Sequence, residues 1–291
     1  MPESMRRPES ASVDVSVRAR LQSMDLGLQD MVAVVTGASK GIGLATARTL
    51  KAEGALVVAA SRRRTPELDE LVDERLVHVA VDLATPQGPG QAIAEAERVF
   101  GGLDVVVNNV GGPPPGAVLP RFSFTELTDA DWAAMLDFNL MSTVRAVRAA
   151  IPLLLGRGGG SIVNVSSTHA LAASGVNVDY GAAKAAVGNL TQALSEEFGP
   201  RGIRVNTVVP GPVLTPWWTD EGGAADVFAA AIGSDRDTVL NQKAAEAMHL
   251  TTGRLIDPQE VADAIVLLSS PRSASTTGSA VLVDAGLCKT V

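Results

Sequence analysis

Seven short apolar runs, each followed by a segment long enough for a helix, constrain the fold more than any other feature of the sequence. They lie at 31–36, 55–61, 76–82, 103–109, 160–167, 203–210 and 279–285. In such runs both faces of a strand are apolar, which is typical of a parallel sheet covered by helices on both sides. The pattern predicts a single α/β domain built on a seven-stranded parallel sheet.

Composition limits the class of protein further. Hydrophobic residues make up 46% of the chain but aromatic residues only 3%, so the core has to be aliphatic. The net charge of -8 argues against nucleic acid as the main partner, because phosphate binding needs a basic surface. A single cysteine, Cys288, cannot form an intrachain disulfide. With no apolar run of the roughly 18 residues that a membrane span needs, we expect a cytoplasmic protein without a membrane partner.

The chain divides into an arm and a domain. Residues 1–28 are rich in Ser, Arg and Glu and lack a hydrophobic segment, so we expect a flexible arm. Residues 29–291 form the predicted domain. Within it, 212–255 is the least regular stretch and too long for a simple loop, which makes it a candidate substrate lid.

A glycine loop follows the first predicted strand. "VVTGASKGIGLATA" (34–47) places Gly37, Gly41 and Gly43 between that strand and a helix. Glycines allow a sharp turn and a close approach of the backbone to a ligand, and the N–H groups at the start of the helix can then bind a pyrophosphate. Strand, turn and helix in this order predict a Rossmann-type, doubly wound dinucleotide site.

Several ordered motifs resemble the classical short-chain dehydrogenase/reductase family, over about residues 30–285. They are T-G-x3-G-x-G in the glycine loop, "NNVGG" (108–112), "VDL" (81–83) and "PGPVLTP" (210–216). Val110 stands where the family usually has Ala, and "DAG" (284–286) where it commonly has Asp-Gly-Gly. The chain resembles the NADP(H)-preferring members of this family and is similar to its 3-oxoacyl reductases.

The only tyrosine of the chain, Tyr180, lies four residues before Lys184, so the two share one face of a helix. A nearby ammonium and a cationic nicotinamide both favour the phenolate and are expected to lower the phenol pKa. The spacing of Ser167 and Asn139 ahead of this pair matches the family's Asn-Ser-Tyr-Lys tetrad. The resemblance makes Tyr180 the proton donor or acceptor, Ser167 the donor to the substrate oxygen, Lys184 the ribose ligand and Asn139 the holder of a water.

The resemblance also implies a set of residues in contact with the cofactor. They are Gly37, Ser39, Lys40, Gly41, Ile42, Gly43, Ser61, Arg62, Asp82, Leu83, Asn109, Val110, Gly111, Tyr180, Lys184, Pro210, Gly211, Val213 and Thr215.

The end of the second strand indicates which cofactor is bound. An NAD site usually has an acid there for the ribose 2′-OH, whereas this chain has Ser61 followed by Arg62, Arg63 and Arg64. Guanidinium groups suit a 2′-phosphate, and Lys40 adds a cation on the same side. We therefore expect NADP(H), with Arg63 and Arg64 more consistent with an exposed basic turn.

The resemblance and the expected NADP(H) imply an oxidoreductase that reduces a carbonyl. The apolar content of residues 112–123, about 168–178 and 212–255, where specificity is expected to lie, favours a moderately hydrophobic ketone, such as a 3-oxoacyl, polyketide, steroid-like or xenobiotic carbonyl. An NAD-linked alcohol or sugar dehydrogenase and a non-catalytic dinucleotide sensor are the alternatives. By resemblance, helices around 125–155 and 178–199 would form a homo-oligomer, a dimer or tetramer.

Other polar and aromatic side chains carry weaker expectations. His169 is expected to be an exposed loop imidazole rather than a substrate contact. His78 and His249 show no ligand spacing, so no metal site is expected. Trp217 and Trp218 could equally pack the lid or wall the substrate pocket.

Overall fold

The seven strands pair in parallel in one sheet, in the order 3-2-1-4-5-6-7. The computed structural model describes residues 25–117 and 120–289. The strands are β1 Val32–Thr36, β2 Leu56–Ser61, β3 Leu76–Ala80, β4 Val105–Asn108, β5 Gly160–Val165, β6 Ile203–Pro210 and β7 Ala280–Val283. The predicted seven-stranded parallel sheet is confirmed, and each strand lies within its predicted apolar run.

Helices connect the strands and cover both faces of the sheet. They are α1 Gly41–Ala52, α2 Pro66–Asp69, α3 Gly88–Phe100, α4 Asp129–Leu136, α5 Ser142–Gly156, α6 Val178–Phe198, α7 Pro216–Thr219, α8 Ala224–Ile232, α9 Arg236–Thr238, α10 Ala244–Ala247 and α11 Pro258–Ser269. A π-helical turn, Asp137–Met141, joins α4 to α5, and another, Val239–Lys243, precedes α10. Short 3₁₀ turns lie at Phe124–Glu126, Thr168–Ala170, Gly199–Arg201 and Pro271–Ser273.

Local sequence explains where several helices begin and end. Helix α11 starts with Pro258 after an Asp257 N-cap whose capping box is closed by Glu260. Helix α4 begins with a capping box too, formed by Thr128 and Asp131. Helix α3 ends at Gly101, which adopts the left-handed conformation (φ 75°) that glycine tolerates best.

Alternate residues of each strand supply two cores, one on each face of the sheet. Ala33 and Val35 pack with the cluster that α1 and α11 cover. Val32 and Val34 pack with the cluster that α3 and α5 cover. Because both faces are buried by aliphatic side chains, the strands need no polar alternation, and this accounts for the continuous apolar runs.

The described residues include the end of the predicted arm and the whole predicted lid. Residues 1–24 of the predicted arm lie outside the described residues. Leu28, also assigned to the arm, is 1% exposed and packs in the α1–α11 core, so the folded part begins before residue 29. The segment 212–255 folds into α7–α10 around an apolar cluster of its own that includes Trp218 and Val239.

One helical stretch, Asp129–Gly156, has the length and mean hydropathy (1.3) of a membrane span. Its apolar side chains have another partner, however. Ala146, Val147, Ala150 and Leu154 are buried in the α3–α5 core. These contacts are those of a core helix that packs against the sheet.

Candidate active site

The glycine loop and the turn after β4 meet where the strand order reverses. β1 lies between β2 and β4, so the segments leaving β1 and β4 run in opposite directions and open a crevice at their carboxyl ends. Asn109 closes the base of this crevice, because its Nδ2 donates to Thr36 O at 2.9 Å and to Gly37 O at 3.2 Å. Its backbone N–H donates to Thr36 Oγ1 at 3.0 Å.

The loop has no room for side chains at its glycines. A Cβ on Gly43 would lie 2.3 Å from Gly37 O and 2.5 Å from Asn109 Nδ2. Gly37 (φ 69°) and Gly41 (φ 57°) adopt left-handed backbone conformations. Helix α1 begins at Gly41 with an uncharged first turn and Lys40 at its N-cap. This N-terminus therefore presents backbone N–H groups and the positive end of a 12-residue helix, which fits a pyrophosphate.

Other predicted cofactor residues surround the loop. Thr215 lies against Gly41, where an added Cβ would be 3.1 Å from Thr215 Cγ2. Ser39 O accepts from Thr65 Oγ1 at 2.8 Å, which fixes the loop to the segment after β2. Gly211 donates its N–H to Val283 O at 3.0 Å, at the carboxyl ends of β6 and β7. Pro210 ends β6, and Val213 forms a bridge with Ile256 just beyond it.

Asp82 and Leu83 differ in burial. Leu83 is buried in the α3–α5 core. Asp82 is exposed, and its Oδ1 accepts the Ala84 N–H at 3.0 Å. The carboxylate thus forms the turn after β3 and stays accessible.

In the basic turn after β2, residues 61–64, some side chains contact other parts of the protein and others do not. Ser61 is buried, and its Oγ donates to Arg63 O at 2.9 Å and lies 3.0 Å from His78 Nε2. Arg64 pairs with Asp69. Arg62 is exposed at the strand end. Lys40 has a partner that the sequence did not indicate: its Nζ lies 3.6 Å from Asp220 Oδ2, just after α7.

Asn139 and Lys184 converge on Gly111. Asn139 is fully buried in the π-helical turn, where Oδ1 accepts the Gly112 N–H and Nδ2 donates to Gly112 O, both at 2.9 Å. A Cβ on Gly111 would lie 2.7 Å from Lys184 Nζ and 2.9 Å from Asn139 Oδ1. Two members of the predicted tetrad therefore meet at the turn that also borders the glycine loop.

Lys184 is buried, with 3% exposure. Its Nζ donates to Val165 O at 2.9 Å, and its backbone carbonyl accepts from Ser166 Oγ at 2.9 Å. Burial of the ammonium lowers the pKa of Lys184 to about 8. The same Nζ lies 5.8 Å from the centroid of the Tyr180 ring, so the two side chains face one another as predicted.

The phenol of Tyr180 meets Ser167 at the end of β5. Part of the Tyr180 side chain is accessible, but burial of its surroundings raises the phenol pKa above its usual 10.0, and hydrogen bonding with Ser167 acts in the opposite direction. The sequence expectation was a lowered pKa. It included a cationic nicotinamide beside the ring, whereas within the protein alone desolvation of the phenol is the larger effect.

His169 differs from its expectation of an exposed loop imidazole. The residue is half-buried, in the 3₁₀ turn that follows Ser167. Its ring meets the ring of Tyr180 edge-on, with centroids 5.8 Å apart. The 3₁₀ turn folds the chain back toward α6, and the spacing of residues in the sequence does not show this.

Sequence reasoning also missed Arg121 and Asp179. Arg121 Nη1 donates to Asp179 Oδ2 at 2.7 Å, and Asp179 is fully buried. The two residues lie far apart in the sequence, and an Asp before a Tyr carries no recognisable signal. Of the two indoles, Trp218 packs in the lid cluster, while Trp217 is 41% exposed. His249 lies just past α10, and the described residues contain no His, Cys, Asp and Glu cluster suited to a metal.

The chain is similar to known proteins over most of its length. The family described as enoyl-(acyl carrier protein) reductase matches residues 37–288. The short-chain reductase protein NovJ of Streptomyces niveus is 34% identical, over 97% of this chain and 99% of that protein. The 3-oxoacyl-[acyl-carrier-protein] reductase FabG of Vibrio cholerae is 30% identical, over 90% of this chain and 99% of its own length.

A solved structure shares the fold over nearly the whole chain. L-sorbose reductase from Gluconobacter frateurii, in complex with NADPH and L-sorbose, superposes with a TM-score of 0.83 at 33% identity. The match covers 92% of this chain and 100% of that chain.

Proposed function

The chain belongs to the classical short-chain dehydrogenase/reductase family, and on that basis we propose that it is an NADPH-dependent reductase of a moderately hydrophobic ketone. The observation that carries the proposal is the convergence of the predicted tetrad. Lys184 Nζ faces the Tyr180 ring at 5.8 Å, Ser167 interacts with the phenol, and Asn139 and Lys184 both border Gly111. These groups lie beside the loop that fits a dinucleotide.

In the proposed reaction each side chain has a separate task. When bound, NADPH supplies the hydride that the carbonyl carbon accepts. Ser167 donates a hydrogen bond to the carbonyl oxygen and holds it beside Tyr180. The Tyr180 phenol gives its proton to that oxygen, so that the product is a secondary alcohol.

Lys184 and Asn139 support this proton transfer. A buried lysine with a pKa of about 8 still carries its proton for most of the time at neutral pH. Its charge stabilises the tyrosinate left after transfer, and its donors suit the ribose hydroxyls. Asn139 fixes the Gly111–Gly112 turn through its two hydrogen bonds, which keeps the backbone beside Lys184 in place.

The preference for NADPH rests on charge at the end of β2. Arg62 is exposed there and can turn its guanidinium toward a 2′-phosphate. Lys40 lies at the N-cap of α1, but it is also paired with Asp220, so a phosphate would compete with that carboxylate. The NADPH complex of the sorbose reductase supports the same choice.

The substrate class is supported by apolar side chains in the segments that follow β4, β5 and β6. Phe122, Leu171, Leu214 and Trp217 are 72%, 56%, 39% and 41% exposed. Large apolar side chains exposed in these loops favour a ligand with an apolar body.

The proposal is tested by following NADPH oxidation with a panel of 3-oxoacyl esters, cyclic ketones, steroid ketones and ketoses. Tyr180→Phe keeps the ring but removes the proton, so turnover should fall by roughly 10²–10⁴-fold while NADPH affinity changes little. A variant that retains more than a tenth of the wild-type rate would contradict the role of Tyr180. Turnover of alcohols or sugars with NAD alone would favour the NAD-linked alternative, and tight cofactor binding without any turnover the sensor.

We also propose a cytoplasmic homo-oligomer built on α5 and α6. An apolar groove of about 320 Å³ runs between these helices, lined by Val144, Val147, Ile151, Leu190, Leu194 and Phe198. Arg148 and Glu197 also line the groove. In a two-fold dimer, Arg148 of each copy can therefore pair with Glu197 of the other copy. Sedimentation velocity distinguishes a dimer or tetramer from a monomer.

A further inference from the structure

The proposed mechanism leaves His169 without a role, although its ring lies against Tyr180. The two ring centroids are 5.8 Å apart and the ring planes meet at 71°. The substrate oxygen in the proposed reaction lies beside Ser167 and Tyr180. An imidazole in edge contact with Tyr180 therefore borders the space next to that oxygen.

Backbone contacts hold His169 in this position. Its N–H donates to Ser167 Oγ at 3.3 Å, and the following N–H, of Ala170, donates to Ser167 O at 2.9 Å. Its carbonyl oxygen lies so close to Gly181 that a Cβ there would be 3.1 Å away. The backbone of His169 is thus fixed both to the end of β5 and to helix α6, which limits where its ring can go.

The ring nitrogens are available to a ligand. Within residues 25–117 and 120–289, neither ring nitrogen makes a hydrogen bond to the protein, and the residue is only half-buried. Burial lowers the pKa of His169, so the ring is neutral at neutral pH and offers one donor and one acceptor. A half-buried donor of this kind favours a ligand that completes its hydrogen bond.

We infer that His169 determines specificity by binding a second oxygen of the substrate, one or two carbons from the reacting carbonyl. The inference rests on the proposed function and deepens it, since it narrows the substrate to ketones with a nearby uncharged oxygen, such as 3-oxoesters. A site with a polar group directed at a substrate oxygen discriminates strongly against analogues that lack it. Plain alkyl ketones bind the same apolar surfaces but leave the imidazole unpaired.

Two probes of equal chain length test this inference. Ethyl acetoacetate and heptan-2-one are both methyl ketones, and they differ in the ester oxygens beyond the carbonyl. Because the ester also activates the ketone, the informative quantity is the ratio of kcat/KM between variant and wild type for each probe. His169→Phe keeps an aromatic ring beside Tyr180 without its donor, and His169→Gln restores a donor and an acceptor.

His169→Phe should lower kcat/KM for ethyl acetoacetate at least tenfold and for heptan-2-one less than threefold, while the Kd for NADPH stays unchanged. His169→Gln should recover most of the loss. Equal losses for both probes would overturn the inference and leave His169 a packing residue for Tyr180. If the wild type reduces neither probe, the wider panel of carbonyl substrates decides the proposed ketone reduction. Calorimetric binding of the probes to the NADPH-loaded protein then decides the inference about His169. Tighter binding of the ester than of heptan-2-one by the wild type, with no such difference in His169→Phe, supports the inference. Equal affinities of the wild type for the two probes overturn it.

Discussion

The guanidinium of Arg121 donates to the fully buried carboxylate of Asp179, with Nη1 and Oδ2 2.7 Å apart. The other oxygen, Oδ1, accepts the backbone N–H of Tyr180 at 2.9 Å. Asn177 adds two bonds, because its N–H donates to Arg121 O at 2.9 Å and its Oδ1 accepts the Arg121 N–H at 2.8 Å. The loop between β4 and α4 is therefore attached to the first turn of the helix that carries Tyr180.

Asp179→Ala should lower the free energy of unfolding by about 1.5–3 kcal/mol, the range for a hydrogen bond to a charged group. The loss stays in this range because Arg121 keeps a second, more exposed carboxylate partner, Asp131 at 3.4 Å. It should also lower kcat more than it raises the KM for NADPH, since the loss is at the Tyr180 end of the site. Urea unfolding and steady-state kinetics measure the two effects. Glu95→Ala, in the surface pair with Arg98, is the matched control and should change stability by less than about 1 kcal/mol. Equal losses in the two variants would contradict a special role for the buried pair.

Lys184→Met should stabilise the protein at neutral pH while abolishing activity. A lysine titrates near 10.5 in the unfolded chain and at about 8 in the folded protein, so the unfolded chain binds more protons between these values. The wild-type free energy of unfolding therefore rises with pH across this window. Below pH 8, burial of the charged Lys184 costs the folded protein about 3 kcal/mol. The hydrogen bond from Nζ to Val165 O offsets part of this cost.

Urea unfolding of the two proteins without cofactor, from pH 7 to above pH 10.5, tests this expectation. The advantage of Lys184→Met should be largest at pH 7 and disappear at the upper end. Lys243→Met, at a half-exposed lysine paired with Glu246 at 2.8 Å, is the control and should not show such a trend. An advantage that stays constant with pH would show that the ammonium does not titrate in this window.

Arg62→Ala should weaken NADPH much more than NADH, because only NADPH has a 2′-phosphate for the guanidinium to bind. The wild type should prefer NADPH by at least tenfold in kcat/KM, equivalent to about 1.4 kcal/mol. Arg64→Ala is the control, since Arg64 already pairs with Asp69. All constants are measured at one ionic strength, because salt screens such contacts. A wild type that uses both cofactors equally, or an Arg62→Ala effect of the same size on each, would remove the NADP(H) assignment.

Gly43→Ala should reduce NADPH affinity at least tenfold and lower the Tm. The new Cβ would lie 2.3 Å from Gly37 O, so the loop has to move away from its hydrogen bonds to Asn109. Gly156→Ala, at the end of α5, has open space around its Cβ and should leave binding intact. Fluorescence titration with NADPH and calorimetry measure both variants. A Gly43→Ala protein with normal affinity would show that the loop does not approach the dinucleotide closely.

The sheet could be predicted from sequence because both faces of each strand are apolar and the glycine loop follows the first strand directly. The proximity of the tetrad candidates could be predicted in part, because Tyr180 and Lys184 are one helical turn apart; their catalytic roles stay a prediction. Asn139 and Lys184 do meet at Gly111, although neither is near it in the sequence. That agreement follows from the parallel order of β4 and β5, which brings their carboxyl ends to the same edge of the sheet.

The remaining features depend on contacts that no local pattern encodes. His169 faces Tyr180 because a 3₁₀ turn reverses the chain after Ser167. Arg121 reaches Asp179 across a loop whose path is set by Asn177, a residue with a left-handed backbone (φ 54°). The direction of the Tyr180 pKa shift depends on how much water the surrounding residues exclude, and composition does not report that.

Because Tyr180 is the only tyrosine in the chain, its ionisation can be followed in the ultraviolet absorption of the protein. Ionisation of a phenol changes its ultraviolet absorption, whereas the indoles of the three tryptophans do not ionise in the same range. A spectrophotometric titration of the unlabelled protein therefore follows a single proton, the one proposed to reach the substrate. Its midpoint should lie above 10.0 for the protein alone and fall when NADP⁺ is added.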